Sequence, residues 1–307
     1  MGPQLGMPGM EASGAMHTFE GTYTALVTPF RDGQVDYATL ERLVERQLAA
    51  GVDGLVPCGT TGESPTLAPG EQREIIGRVV RQARGRAKVV AGTGSNATAH
   101  AVLLSREAEE LGVDGVLVVA PYYNKPSPAG LFEHYAAIAR AVHVPVVVYN
   151  IPGRCGVEIP VATLVELRAA FAHVNTVKHA TGSVMGASDL LAACAVTLLS
   201  GDDPLTLPLM SIGGRGVISV VSNLAPRAVK RLTDAALRGD CVEARAAHEA
   251  LYPLARALLA IDTNPVPIKT ALAMKGWCSD EFRLPLCPLT REAWHKLEGL
   301  LKEHPLE

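Results

Sequence analysis

The sequence predicts an α/β fold, a (β/α)8 TIM barrel with a C-terminal helical extension. Three observations lead to this prediction. Short apolar runs alternate with amphipathic segments of helix length over the first 220 residues, and eight strands separated by helices are what such a barrel requires. The same helix-to-strand turn occurs twice. Beyond about residue 225 the strand pattern stops and only helical patterns continue.

The predicted strands are short runs of apolar and β-branched residues. They cover residues 23–28, 54–58, 88–91, 115–119, 146–149, 174–178, 197–200 and 216–220. The predicted helices between them include residues 37–50, 70–83, 97–111, 129–141, 160–170 and 204–212. A doubly wound open sheet is the alternative, but no Gly-x-Gly-x-x-Gly segment opens an early helix.

The repeated turn has the sequence Gly-Val-Asp-Gly, at residues 51–54 and again at residues 112–115. In each copy the first glycine closes a helix and the following residues lead directly into a strand. The same turn at two helix-to-strand junctions indicates repeated βα units around a parallel sheet.

The chain divides into three predicted parts. Residues 1–16 lack the basic and apolar regions of a secretory signal. Their glycine, proline, methionine and alanine content predicts a disordered leader, or an upstream start that precedes Met16. Residues 17–224 form the barrel, and residues 225–307 form a C-terminal helical region of three helices. No linker rich in serine, glycine or charge separates the last two parts, so we expect them to pack tightly against each other.

Composition excludes several classes of protein. A chain of 307 residues that is 48% hydrophobic can bury a large core. A net charge of −3 gives no electrostatic case for binding nucleic acid or an anionic membrane. No apolar run is long enough to span a bilayer. The six cysteines contain no Cys-x-x-Cys pair and predict reduced thiols, so we expect a cytoplasmic protein.

The segment that matters most for function is Val-Asn-Thr-Val-Lys at residues 174–178, which predicts a buried strand ending on Lys178. Burying an ammonium group is costly unless the group is paired or neutral. A lysine made neutral by burial can attack a carbonyl and form an imine. A lysine that reaches solvent or pairs with an acid is the alternative that this segment leaves open.

Other polar residues follow the predicted strands, and in a barrel the carboxyl ends of all strands meet at one face. The segment Gly-Thr-Thr-Gly-Glu-Ser at residues 59–64 supplies Thr60 and Thr61, whose hydroxyl groups can hold an anion. A carboxylate suits this loop better than a phosphate, because no lysine follows. The segment Pro-Tyr-Tyr-Asn-Lys-Pro supplies Tyr123, held between two prolines.

The later strand ends add four candidates. Tyr149 can relay protons through its phenol, and Arg154 can pair with a carboxylate. Gly201 and Ile218 lie in or beside glycine-containing segments, where ligand atoms can approach the backbone. Each residue alone has a structural explanation, but together with Lys178 at one barrel mouth they predict an imine-forming site.

Metal chemistry is disfavoured, because the nine histidines show no His-x-His or His-Glu-x-x-His spacing. We therefore predict no metal ligands. No serine lies in a Gly-x-Ser-x-Gly segment.

Four segments in this order, GTTGES, PYYNKP, YNIPGR and VKHATG, resemble the dihydrodipicolinate synthase family of class I pyruvate-dependent aldolases. SGDD and GGRGVIS support the resemblance, which runs from about Gly21 to the C-terminal end. It implies the (β/α)8 barrel, an imine between Lys178 and pyruvate, and no cofactor. It also implies condensation with L-aspartate 4-semialdehyde on the diaminopimelate route to lysine.

The resemblance further implies a proton relay made by Tyr149, Thr61 and Tyr123. Tyr123 would come from the neighbouring subunit of a tight dimer, and the family is usually a homotetramer built as a dimer of dimers. The N-acetylneuraminate lyases and sugar-acid aldolases of the family share the lysine at position 178 and the tyrosine at position 149.

The resemblance also implies how the substrates are held. Thr60 and Thr61 would bind the pyruvate carboxylate, with backbone help near Gly201 and Ile218. Arg154 would bind the carboxylate of the semialdehyde.

Two residues depart from the family pattern: His179 stands where glutamate is usual, and Cys155 where threonine is usual. Because His179 points to the face of the strand opposite Lys178, we expect altered packing or an altered pH response of the enzyme, without loss of the chemistry. Lyases for N-acetylneuraminate or 2-keto-3-deoxy sugar acids remain an alternative, although they usually lack an arginine at position 154. A catalytically silent binding barrel is disfavoured, because Lys178 and Tyr149 are both present.

Overall fold

In the computed structural model of this chain, residues 19–304 are described, so the predicted leader at residues 1–16 lies outside the described residues. Eight parallel strands form a closed barrel, which confirms the predicted fold class. Two further short strands form an antiparallel hairpin after the first barrel strand. The strands are β1 (Gly21–Ala25), β2 (Phe30–Arg31), β3 (Gln34–Val35), β4 (Gly54–Val56), β5 (Lys88–Gly92), β6 (Gly115–Val119), β7 (Val146–Asn150), β8 (Thr176–His179), β9 (Thr197–Ser200) and β10 (Gly216–Ser219).

The barrel strands follow one another in chain order, and β10 closes the barrel by pairing with β1. Helices connect them and continue beyond the last strand. The helices are α1 (Tyr37–Ala49), α2 (Pro69–Ala83), α3 (Thr98–Glu110), α4 (Pro128–Ala141), α5 (Pro152–Cys155), α6 (Val161–Ala170), α7 (Val184–Ala193), α8 (Thr206–Ser211), α9 (Pro226–Leu237), α10 (Cys241–Ile261), α11 (Val266–Met274) and α12 (Arg291–Glu303).

The repeated Gly-Val-Asp-Gly turn has the same structure in both copies. Gly51 and Gly112 close α1 and α3 with φ angles of +75° and +83°, a region that favours glycine. The aspartate of each turn then accepts a hydrogen bond from the neighbouring strand. Asp53 Oδ2 lies 2.8 Å from the backbone N of Thr22, and Asp114 Oδ2 lies 2.7 Å from that of Val89. The turn therefore fixes each new strand beside the previous one.

The barrel interior is filled by side chains that alternate with those facing the outer helices. Buried apolar residues on the strands' inner faces form one cluster, which includes Tyr149, Leu199 and Ile218. A larger cluster lies between the strands and the outer helices. Apolar side chains therefore fill the barrel below its mouth. The candidate site residues lie at the strand ends.

Beyond residue 225 the described chain contains four helices, where the sequence predicted three. The difference is α9, which packs against β1 and β10 and so serves as the eighth outer helix of the barrel. Its buried residues Val229 and Leu232 join the apolar cluster that also holds α10, α11 and α12. The division at residue 224 stays a prediction.

None of the helices between residues 19 and 304 combines the length and the apolar composition that crossing a membrane requires.

Candidate active site

Lys178 lies on β8 between Tyr149 of β7 and Leu199 of β9. Its side chain is buried, with 5% of the residue exposed, and Nζ lies 4.1 Å from the centre of the Tyr149 ring. Burial lowers the pKa of this lysine from 10.5 to about 8, and the charge of Arg154 acts in the same direction. Asp202 and Asp203 oppose the shift. A substantial fraction of neutral amine near pH 7 to 8 follows from this environment.

A second buried lysine, Lys269, differs from Lys178 because it forms an ion pair. Lys269 Nζ lies 2.6 Å from Glu63 Oε1, and both side chains are fully buried. Lys178 has no such ion pair in the part of the chain that the structure describes. Asp202 and Asp203 favour its charged form without forming an ion pair with it, and this weaker pairing favours a nucleophilic lysine over a structural one.

Gly201 makes room for Lys178. A Cβ atom at this position would lie 2.6 Å from Ala180 Cβ and 3.1 Å from Lys178 Cε. The Gly201 backbone N–H is already used, donating to the His179 carbonyl at 2.8 Å. Ile218 is buried in the barrel interior near Tyr149. The predicted backbone contacts of Gly201 and Ile218 with a substrate remain predictions.

Tyr149 is buried, and burial raises the pKa of its phenol far above the ordinary value. The Thr60 side chain acts on the pKa of this phenol in the opposite, lowering direction. Thr61 instead accepts a hydrogen bond from Asn264 Nδ2, at 3.0 Å from its Oγ1. Thr60 is thus the threonine of this loop that acts on the Tyr149 phenol, and the predicted place of Thr61 in the relay stays a prediction.

Arg154 lies on the single turn α5, which Pro152 begins. Its Nη2 donates to the Asn264 carbonyl at 2.8 Å and lies 3.4 Å from Thr263 Oγ1. Among residues 19–304 no carboxylate pairs with Arg154. The guanidinium is therefore anchored on a backbone oxygen while its charge stays available to a ligand carboxylate.

Tyr123 stands apart from these residues. It is 88% exposed, and its backbone has a positive φ of 73°. The backbone N–H of Tyr123 donates to the carbonyl of Cys155 at 3.2 Å, but its side chain forms no hydrogen bond within the described residues. A single subunit does not bring the Tyr123 phenol into the site.

A cavity of about 340 Å³ opens beside Thr60 and Arg154. It extends outward past Ser64 and Tyr122 to His100 at the start of α3. Its lining combines hydroxyl, imidazole and guanidinium groups with apolar surface, a combination suited to a small polar ligand.

The two residues that depart from the family pattern are both buried. His179 Nε2 lies 2.9 Å from the Ser183 carbonyl and 2.9 Å from Thr181 Oγ1, at the start of α7. These contacts place it away from Lys178. Burial raises the pKa of the Cys155 thiol to about 11, which keeps this cysteine protonated.

The sequence analysis overlooked Asn264 and the Glu63–Lys269 ion pair. Glu63 could have been noticed as the acidic residue of the Gly-Thr-Thr-Gly-Glu-Ser segment, but nothing near it in the chain indicates its partner 206 residues away. Across residues 19–304, no group of three or more histidine, cysteine, aspartate or glutamate side chains could hold a metal ion.

A closed eight-stranded barrel and a buried lysine at the carboxyl ends of its strands, with no ion pair among residues 19–304, define a class I aldolase-type enzyme. The comparisons with known proteins agree. The model of the Dihydrodipicolinate synthetase family matches residues 18–304. A 4-hydroxy-tetrahydrodipicolinate synthase from Pelobacter propionicus is 50% identical over 290 residues, covering 94% of this chain and 99% of the relative.

Solved structures lead to the same family. Dihydrodipicolinate synthase from Aquifex aeolicus superposes with a TM-score of 0.92 at 46% identity, covering 94% of this chain and 99% of that chain. A structure described as a monomeric dihydrodipicolinate synthase variant gives a TM-score of 0.92 at 39% identity, covering 94% and 98%. The chain belongs to the dihydrodipicolinate synthetase family.

Proposed function

We propose that this chain catalyses the 4-hydroxy-tetrahydrodipicolinate synthase reaction, a lyase reaction that condenses pyruvate with L-aspartate 4-semialdehyde. The observation that carries the proposal is Lys178, which is buried at a strand end close to the Tyr149 ring and has no ion pair within the described part of the chain. Such an amine is matched to attack on a ketone near neutral pH.

The chemistry begins at Lys178. Its neutral amine attacks C2 of pyruvate, and loss of water gives the imine. Removal of a C3 proton gives the enamine, whose C3 attacks the aldehyde carbon while the aldehyde oxygen takes up a proton. The amino group of the semialdehyde then attacks the imine carbon and displaces Lys178. The ring closes, and one water has been released overall.

Proton transfers are assigned to Tyr149 and to the hydroxyl of Thr60, whose side chain acts on the pKa of this phenol. The high pKa of the phenol suits a group that donates and recovers a proton without staying ionised. Thr60 therefore takes the relay position that the sequence analysis gave to Thr61. Thr61 keeps its second predicted role, as a donor to the pyruvate carboxylate.

Arg154 is assigned to the carboxylate of the semialdehyde, since it has no carboxylate partner among residues 19–304. Replacing Arg154 by alanine should lower kcat/KM for the semialdehyde on the order of a hundredfold, because a charge-assisted pair is lost. Imine formation with pyruvate should persist.

The matched control is Arg168→Ala, which removes a guanidinium whose Nε donates to the Ala195 carbonyl at 3.2 Å. Its kcat/KM should stay within about twofold of the wild type. If Arg154→Ala loses pyruvate trapping as severely as it loses condensation, Arg154 supports the site as a whole and does not select the aldehyde.

The rate of imine formation should depend on pH through Lys178. A protonated amine cannot attack, and a pKa of about 8 leaves on the order of one tenth of the amine neutral at pH 7. The rate should therefore rise with pH up to about 8 and level off above it. Timed borohydride quenching across pH 6 to 10 measures this profile, and an inflection near 10.5 would contradict it.

We also propose that the active form is a homotetramer built from dimers, in which Tyr123 completes the site of a neighbouring subunit. An 88% exposed tyrosine on a stiff loop makes a poor free surface and a suitable interface anchor. A cytoplasmic location fits an enzyme of amino-acid biosynthesis with reduced thiols.

Subunit mixing tests the shared site. Tyr123→Phe and Lys178→Ala subunits should each be inactive alone and should regain part of the activity when exchanged into mixed dimers. The control is Tyr252→Phe, a replacement on the exposed surface of α10. In the same mixing experiment this variant should behave like the wild-type protein. Absence of recovery in mixed dimers verified by mass would refute the shared site.

The reaction itself is tested by incubating the purified protein with pyruvate and L-aspartate 4-semialdehyde, coupled to a reductase that consumes NADPH. We expect turnover that depends on both substrates. Cleavage of N-acetylneuraminate or a 2-keto-3-deoxy sugar acid, without condensation, would overturn the proposal in favour of a lyase.

A further inference from the structure

Asn264 lies between the two groups that are assigned to the two substrate carboxylates. Its side-chain Nδ2 donates to Thr61 Oγ1 at 3.0 Å. Its backbone carbonyl accepts from Arg154 Nη2 at 2.8 Å. One residue of the C-terminal helical region thus contacts both Thr61 of the loop after β4 and Arg154 of the turn after β7.

The segment that carries Asn264 is held in place by a buried ion pair. Lys269 lies on α11, and its Nζ is 2.6 Å from Glu63 Oε1. Neither side chain is exposed. Lys269 Nζ also lies 4.1 Å from the centre of the Phe30 ring. Because Glu63 follows Thr61 closely and Lys269 follows Asn264 closely, the two contacts fix these segments against each other at two points.

The Asn264 contact also sets the direction in which the Thr61 hydroxyl can donate. A threonine hydroxyl has one hydrogen to donate, together with two lone pairs. Since the Thr61 oxygen accepts from the Asn264 amide, its own hydrogen is directed to a different acceptor. A carboxylate ligand offers only acceptors, so this orientation is the one that pyruvate requires.

We propose that Asn264 is a positioning residue that orients the Thr61 hydroxyl to donate to the pyruvate carboxylate and holds Arg154 through its backbone carbonyl. The proposal rests on the proposed function and concerns the same site. It also gives the C-terminal helices a role in substrate binding, beyond their role in packing.

The test compares two replacements. Asn264→Asp keeps the shape of the side chain but replaces the amide donor by a carboxylate acceptor, to which Thr61 would donate. We expect the KM for pyruvate to rise tenfold to a hundredfold, about the value of a hydrogen bond to a charged group. Asn264→Ala leaves the Thr61 hydroxyl free to rotate, and we expect a smaller rise of about threefold to tenfold.

A purely structural role would instead tie any rise in KM to a loss of thermal stability, because Asn264 Oδ1 is buried without a hydrogen-bond partner among the described residues and a carboxylate oxygen there would be costly. Thermal melting of both variants accompanies the kinetics. If Asn264→Asp proves as mild as, or milder than, Asn264→Ala, the proposal is overturned.

A double-mutant cycle with Thr61→Val separates hydrogen-bond direction from simple charge repulsion. In the Thr61→Val background, Asn264→Asp should raise the pyruvate KM by no more than about threefold, because the hydroxyl through which it acts is gone. Repulsion between two carboxylates would persist unchanged in that background. Equal effects in both backgrounds would therefore overturn the proposal.

The wild-type protein separates this proposal from the proposed function. If the wild type fails to form the pyruvate imine or to condense the two substrates, the proposed function is wrong. If the wild type does both and the Asn264 variants match its pyruvate KM, only the role of Asn264 is wrong.

Discussion

Replacing Lys178 by methionine is expected to abolish condensation while the protein stays folded. No other amine in the site can form the imine, so kcat should fall on the order of ten-thousandfold or more. Stability should be unchanged or higher. The folded pKa lies below the unfolded value, so the lysine lowers stability below pH 8, and this penalty fades as pH rises towards 10.5. Methionine removes the penalty.

The activity assay and thermal melting at pH 7 check this expectation together. Lys275→Met is the control, since that lysine lies exposed at the end of α11, and it should retain wild-type activity. A Lys178→Met protein that melts at the wild-type temperature and still turns over would contradict the assigned nucleophile.

Lys269→Met is expected to have the opposite effect, a large loss of stability. The replacement leaves the Glu63 carboxylate fully buried with its ion-pair partner removed. Breaking a buried pair in this way costs about 3–5 kcal/mol. The Arg283 backbone N–H, 3.3 Å from Glu63 Oε2, offsets little of this loss. The loop that carries Thr60 and Thr61 should loosen as a consequence.

Urea unfolding of Lys269→Met measures the loss of unfolding free energy. The variant to compare it with is the double replacement Glu63→Gln with Lys269→Met. With the buried charge also removed, the double variant should recover a large part of the lost unfolding free energy. If the single and double variants are equally destabilised, the loss comes from packing around Phe30 and not from the stranded charge.

The features predicted correctly from the sequence are those that depend on a local pattern of residues. The barrel strands were predictable because each is a short apolar run bounded by turn residues, as for β6 (Gly115–Val119) and β9 (Thr197–Ser200). The hairpin of β2 and β3 was missed, since two-residue strands have no periodicity to detect. Its Asp-Gly turn at residues 32 and 33 was the available signal.

The last strand-to-helix unit shows a different limit. The sequence pattern identified a helix after residue 225 but not the surface it covers. Only the closure of β10 onto β1 makes α9 an outer helix of the barrel. That contact joins segments about 200 residues apart in the chain, so no local window of sequence contains it.

The candidate site was predictable to the level of segments but not of individual atoms. Lys178 was identified because a lysine at the end of an apolar strand is unusual. Two adjacent threonines, Thr60 and Thr61, are chemically alike in the sequence, so local pattern does not decide which of them serves the relay. Asn264 was missed because its partner Thr61 lies 203 residues away in the chain.

The central claim is that the Lys178 amine forms an imine with pyruvate. The most direct measurement is reduction with borohydride in the presence of pyruvate, followed by peptide mass spectrometry. We predict one reduced pyruvyl group per chain, on the peptide that contains Lys178, with loss of activity in proportion to labelling. Labelling of Lys269 or another lysine, or no pyruvate-dependent labelling in a folded protein, would contradict the account.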